Sequence, residues 1–202
     1  MSALTPQTPV GEALVTIFRR LFECDFVTLD GFAISCRTPD GARYLDESDA
    51  VVRMLMGEPA VDRAAPVDPA ALTLHEAVYR AWPEAGCAVS GRPLHLQAIL
   101  AEGAALPGPT SMLRKRGIVD LRDHLVDPAA LRAPAIDGAI ARARAIAVDH
   151  GMKHVLIVAT DGIVFAAAPT PEETLGHFQN VAFAARMECI RVEEAALVER
   201  KG

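Results

Sequence analysis

The stretch that most constrains this chain is HVLIVATDGIVFAAA (154–168), together with the PTPEETL that follows it. Two apolar, β-rich runs flank Asp161-Gly162, the dipeptide best suited to a two-residue hairpin turn. Thr170-Pro171-Glu172-Glu173 then forms a capping box, with proline at the first helical position. The pattern predicts a hairpin that feeds directly into a helix reaching about residue 199.

Other elements can be placed around this piece. Thr8 and Pro9 open a first helix whose Val10, Leu14, Ile17, Phe18, Leu21 and Phe22 share one face. GFAISCR (31–37) reads as a strand and TPDG (38–41) as a turn, while 45–58 is compatible with a strand end or a capped helix. After a Pro- and Ala-rich link, Asp68-Pro69 starts a helix carrying Leu72, Leu74, His75, Val78 and Tyr79, which Pro83 stops. AGCAVSG (85–91) reads as a buried strand, followed by a helix at about 93–101, a Gly- and Pro-rich loop, and a short strand GIVDL (117–121). An Ala-rich helix runs from about 135 to 150 and ends at Gly151. The sum is a mixed α/β domain without the strict βαβ alternation of a doubly wound fold. It carries no G-x-G-x-x-G and no P-loop.

Length and composition narrow the function classes. The 202 residues suit one domain with a substantial core, and 51% hydrophobic residues argue against disorder. With 20 basic and 26 acidic residues the net charge is −6, which argues against nucleic-acid or anionic-membrane binding. Arg114-Lys115-Arg116 is too short a basic cluster to change that. No apolar run approaches the ~20 residues of a membrane helix, and the N-terminus lacks a signal-peptide pattern. Cys24, Cys36, Cys87 and Cys189 form no CxxC pair and read as reduced thiols, so a cytoplasmic location is expected.

AGCAVSGRPLH (85–95) ends as active-site strands often do, in a polar turn before a helix. The order of several segments resembles the class II aldolase/adducin family. GFAISCR is similar to that family's G-N-x-S-x-R motif, with Ser35 and Arg37 matching. ALTLHEAVYRAWPEAG supplies His75, Tyr79, Arg80 and Pro83 in register with its helix, and CAVSGRP aligns with a strand ending H-x-H-p. LIVATDGIVFAAAPTPEETL resembles its late strand, N-H-G turn, second strand and T-x-E-E-A helix, and Met187-Glu188 sits where its last helix often has L-E. The resemblance spans about residues 10–198 of a single domain, 1–202. It implies a three-layer α/β/α domain with a mixed, mostly antiparallel sheet, assembled as a homo-oligomer.

The family's chemistry rests on a divalent metal held by three histidines, with a glutamate as acid/base; the ion polarises a carbonyl and an enediolate forms. In this chain the resemblance places Ser90, Arg92 and Asp161 at the three histidine positions, Ala71 at the glutamate and Ala33 at the early asparagine. The segment that binds substrate phosphate in sugar-phosphate members is deleted between Gly41 and Asp46. A hydroxyl is a poor zinc ligand and a guanidinium repels a cation, at roughly 4 kcal/mol per unit charge pair for an effective dielectric near 20. The expectation is therefore no metal, no cofactor and a degenerate site whose cleft residues are Ser90, Arg92, His95 and Asp161.

Each of these residues also has a plain structural reading. Asp161 suits an Asp-Gly turn for backbone reasons, and His75, which looks structural in the family, suits a satisfied, partly buried histidine. His95 fits a surface position in a first helical turn as well as one facing the cleft. His150 and His154 flank Gly151, where a metal pair competes with a cationic histidine favoured by a helix C-terminus. Arg92 either pairs with Asp161 in place of the ion or binds a small anion. Ser90 beside His95 makes no triad. These residues imply a catalytically degenerate protein with a binding or structural role. The alternatives are a divergent metal-independent lyase or isomerase acting on a small carbonyl or anionic substrate, and a sensor with Arg92 as its anion contact.

Overall fold

In the computed structural model the chain is described over residues 19–21, 32–39, 41–46, 69–102, 113–114, 118, 120–132 and 134–199. Residues 19–21 are helical; the rest of the helix expected after Thr8, the 47–58 stretch and most of the Pro-rich link lie outside the described residues. Strands β1 (Ala33–Thr38) and β2 (Gly41–Asp46) are antiparallel, with Thr38 opposite Gly41 across the expected turn. Helix α1 (Pro69–Ala81) starts at the proline that favours a first turn and stops ahead of Pro83. Strand β3 (Cys87–Gly91) leads through Arg92 and Pro93 into α2 (Leu94–Ala101). A two-residue strand, β4 (Leu125–Val126), precedes α3 (Ile136–Asp149). The late hairpin is β5 (Val155–Ala159) and β6 (Val164–Ala168), and α4 (Pro171–Glu199) follows it.

The six strands form one sheet in the order β2-β1-β3-β6-β5-β4, antiparallel except for the β4–β5 pair. Side-chain alternation divides the core between its two faces. Ile34, Cys36, Cys87, Val89, Leu156, Val158, Val164 and Ala166 point towards α2 and α4, where Leu96, Ile99, Leu175, Phe178 and Val181 complete one cluster. Ala88, Val155, Ile157, Phe165 and Ala167 point the other way, onto Leu74, Val78 and Trp82 from α1 and its end and Ile136, Ile140 and Ala143 of α3. The result is the expected three-layer α/β/α arrangement with a mixed, mostly antiparallel sheet. Residues apolar on both faces, as in β5 and β6, follow from a sheet covered on both sides.

Two local expectations are corrected. The strand expected at 117–121 is displaced: Leu121–His124 form a single 3₁₀ turn and the strand begins at Leu125. Asp120 causes the shift, because its carboxylate accepts the Arg122 N–H at 2.8 Å and caps the turn. The late hairpin is not closed by a two-residue turn. Ala159 N–H donates to Ile163 O at 2.7 Å and Gly162 N–H to Ala159 O at 2.9 Å, so three residues, Thr160 to Gly162, make the loop. Gly162 takes φ +92°, the left-handed position of a three-residue hairpin. Asp161 thereby becomes the middle loop residue, and its carboxylate receives the Ile163 N–H at 3.3 Å.

At the far end of β3 the chain passes very close to the start of α4. A Cβ on Gly86 would lie 2.1 Å from Pro169 O, so only glycine fits there. Gly86 N–H donates to Ala168 O at 3.0 Å, and Thr170 caps α4 by accepting the Glu173 N–H at 3.2 Å. The capping box read from the sequence is thus the hinge that turns the chain from β6 into α4.

Candidate functional site

Two clusters meet at the end of β3, and the first is a buried polar chain. Ser35 of β1 and Ser90 of β3 lie on the sheet face covered by α1, because Ala33 is opposite Ser90 and Ser35 opposite Ala88. Helix α1 lays His75 and Tyr79 over them one turn apart. Ser35 Oγ is 2.6 Å from His75 Nδ1 and 2.7 Å from the Tyr79 hydroxyl, and His75 Nε2 is 3.1 Å from Ser90 Oγ. The Tyr79 hydroxyl donates to Ser35 O at 3.1 Å.

One proton assignment satisfies every atom. With the single Tyr79 proton on Ser35 O, Ser35 Oγ donates to Tyr79 and accepts from Nδ1–H, leaving Nε2 to accept from the Ser90 hydroxyl. The imidazole is then neutral, and burial pushes the His75 pKa down to about 3. Its ring also meets Phe165 of β6 edge-on, with centroids 5.3 Å apart. Arg37 closes the outer end, its guanidinium 4.8 Å from the Tyr79 ring centre and donating to Tyr79 O at 2.5 Å. A hydroxyl held by a neutral imidazole resembles an activated nucleophile. Ser90, however, is only 3% exposed, which makes this chain a core feature.

The second cluster bridges β3 to the β5–β6 loop. Arg92 Nη2 donates to Asp161 Oδ2 at 3.1 Å, with the side chains 23% and 36% exposed. Gln97 of α2 lies against the backbone of both segments. Its Nε2 donates to Arg92 O at 3.4 Å, and its Cγ would lie 2.9 Å from a Cβ on Gly162. Sequence positions 92 and 161 are therefore joined by a direct ion pair at the place where the family resemblance puts metal ligands.

His95 is half-buried in the first turn of α2, and the Cys189 thiol of α4 donates to its backbone oxygen at 3.6 Å. Ala33 is buried in β1, and Ala71 lies in the first turns of α1. His150 is exposed at the end of α3, whereas His154 is buried and stacked on His177 of α4 at 3.4 Å between ring centres. His124 is buried with Nδ1 3.1 Å from Leu156 O, and burial lowers its pKa. Sequence reasoning missed three of these features: the Ser35–His75–Ser90 chain, the role of Tyr79 and the His154–His177 stack. The helical spacing of His75 and Tyr79 was a usable signal for the chain. The stack joins residues 23 apart in sequence through tertiary packing alone, and no local pattern announces it.

The donor set does not fit a divalent metal. Of the three positions, Ser90 has its hydroxyl on His75, Arg92 brings a positive charge and Asp161 has its carboxylate on that charge. Among the described residues, no group of three or more His, Cys, Asp or Glu is placed to hold a metal ion. Nor is any described helix long and apolar enough to cross a membrane.

Comparison with known proteins gives the same ancestry. The chain is similar in fold to YgbL, a putative aldolase/epimerase/decarboxylase from Escherichia coli, with TM-score 0.56 and 15% identity over 89% of this chain and 88% of that one. It is also similar to L-fuculose-1-phosphate aldolase from Thermus thermophilus, with TM-score 0.59 and 16% identity over 90% and 94%. A sugar-phosphate aldolase from Thermotoga maritima gives TM-score 0.59 and 12% identity over 92% and 95%. No curated protein matches by sequence. Identities this low establish the fold alone. The family model for the class II aldolase and adducin N-terminal domain matches residues 12–189, nearly the whole chain, and this protein belongs to that family.

Proposed function

We propose that this chain is a catalytically degenerate class II aldolase-like domain, with a binding or structural role in place of metal chemistry. The observation that carries the reading is the Arg92–Asp161 ion pair. It spans two of the three positions assigned to metal ligands and turns each group's charge towards the other. A divalent ion would have to displace the guanidinium and then share space with it, which Coulomb repulsion opposes. Ser90 supports the same reading, because its hydroxyl completes the hydrogen bonds of a buried histidine.

The protein is expected to act as a cytoplasmic homo-oligomer. Exposed Phe183, Met187, Ile190 and Leu197 on α4 support self-association, since they recur at helical spacing along one helix. A metal-independent lyase or isomerase would need Arg92 as its cation in the cleft, and in that role Asp161 competes with the substrate for it. A small-anion sensor centred on Arg92 meets the same competition.

Elemental analysis of untagged protein, after dialysis against zinc, manganese and cobalt and then against buffer, tests the proposal. No retained metal and no cleavage of L-fuculose 1-phosphate, the substrate named for the Thermus thermophilus structure, are expected. Stoichiometric metal surviving dialysis would overturn it.

A further inference from the structure

Cys36 and Cys87 face each other across the β1–β3 ladder, at the end of β3 opposite to Arg92. Their sulfurs are 3.1 Å apart in the core shared with α4. Arg37 N–H donates to Gly86 O at 2.8 Å, so the Arg37 N–H points across to the β3 side, one residue past the last ladder pair. By the alternation of antiparallel sheets, Cys36 and Cys87 are then a non-hydrogen-bonded pair, with Cα atoms about 4.5 Å apart. That spacing lies at the short end of the range of roughly 4.4–6.8 Å that a disulfide spans. The bond can therefore close by side-chain rotation.

We propose that Cys36 and Cys87 are a reversible redox pair that closes into a cross-strand disulfide, pinning β1 to β3, when the protein meets a low-molecular-weight disulfide. In the first step the deprotonated Cys36 sulfur attacks one sulfur of the oxidant and releases the other half as a thiolate. In the second, the Cys87 thiolate attacks the Cys36 sulfur of the mixed disulfide and releases the remaining half. The two cysteines lose two electrons and two protons; the oxidant's S–S bond takes up both electrons, and the released thiolates take up the protons.

The fold sets the order of these steps. Cys87 is held from behind by α4, where Thr174 Oγ1 donates to Cys87 O at 3.1 Å. Cys36 sits on β1, whose other neighbour β2 is an edge strand, so opening of the β1–β2 hairpin uncovers Cys36 first. The Cys36 contact and burial push the Cys87 thiol up, which makes exchange slow in the closed fold and ties its rate to that opening.

The test is to incubate the full-length reduced protein with oxidised glutathione, trap free thiols with an alkylating agent under denaturing conditions, and map the unreduced digest by mass spectrometry. Alkylatable thiols are expected to fall from four to two, with a Cys36–Cys87 cross-link that dithiothreitol reverses. Fragmentation assigns the link, because Cys24 lies in the same tryptic peptide as Cys36. A Cys36→Ser variant should lose the cross-link and keep Cys87 as a thiol or a glutathione adduct. The proposal is overturned if Cys36 and Cys87 stay alkylatable while Cys24 or Cys189 takes the glutathione. It is equally overturned if Cys24 is the partner in the bond, or if both cysteines stop at separate mixed disulfides.

Discussion

Replacing His75 by glutamine should change how stability depends on pH, by an amount that follows from burial. In the folded protein the His75 pKa is about 3, while a free imidazole titrates at 6.5. Between these values the unfolded chain binds a proton that the folded chain does not, so stability falls as the pH drops through this window. At most the loss is about 5 kcal/mol, from 3.5 pH units at roughly 1.4 kcal/mol each. Between about pH 7.5 and 4.5 the same linkage gives a loss of about 2.6 kcal/mol, a large share of a typical domain's stability. The glutamine variant lacks this titration. It begins less stable, because Ser35 and Ser90 lose a well-placed partner at a cost of about 1–3 kcal/mol. Urea unfolding of both proteins at several pH values reads the gap directly. Wild type should lose its advantage as the solution is acidified, and the buried His124 contributes equally to both curves. A gap that stays constant to within about 0.5 kcal/mol would refute the neutral, fully bonded imidazole and with it the proton assignment along the chain.

Two further outcomes are expected. In a double-mutant cycle with Arg92→Met and Asp161→Asn, thermal unfolding should give a coupling of about 0.5–1 kcal/mol that shrinks in high salt, since both side chains keep partial exposure. No measurable coupling at low salt would remove the ion pair as a stabilising substitute for a metal. Gly86→Ala should destabilise the fold by several kcal/mol or prevent its expression in soluble form, because its Cβ would sit 2.1 Å from Pro169 O between two fixed backbones. Near-native thermal stability in that variant would show that the β3–α4 junction can move apart.

Much of the architecture was legible because local chemistry and tertiary packing asked for the same thing. The capping box at Thr170, the proline start of α1 and the β-rich runs at 154–168 each specify an element within a few residues. Where a single side chain redirected the backbone, the reading slipped. Asp120 capped a turn inside the expected strand, and the late hairpin loop took in Thr160 ahead of Asp161 and Gly162. Of the candidate site, the sequence supplied the replaced ligand positions and the two alternatives for Arg92. The choice between those alternatives depends on where the β5–β6 loop lies relative to the end of β3, a distance set by strand order and loop geometry. Ser90 shows the limit well: beside His95 in sequence, it is bonded to His75 on another element.

The sequence by itself determined most of the helices, the late strands, the family resemblance and which residue types stand at positions 90, 92 and 161, because these depend on residue type and spacing along the chain. Only the tertiary structure decided that Arg92 meets Asp161, that His75 is held neutral between two serines, and that Cys36 meets Cys87. Each of these joins residues 15 to 69 positions apart. Their contact is fixed by sheet register and by the faces on which the helices pack, and neither is encoded in any one local stretch.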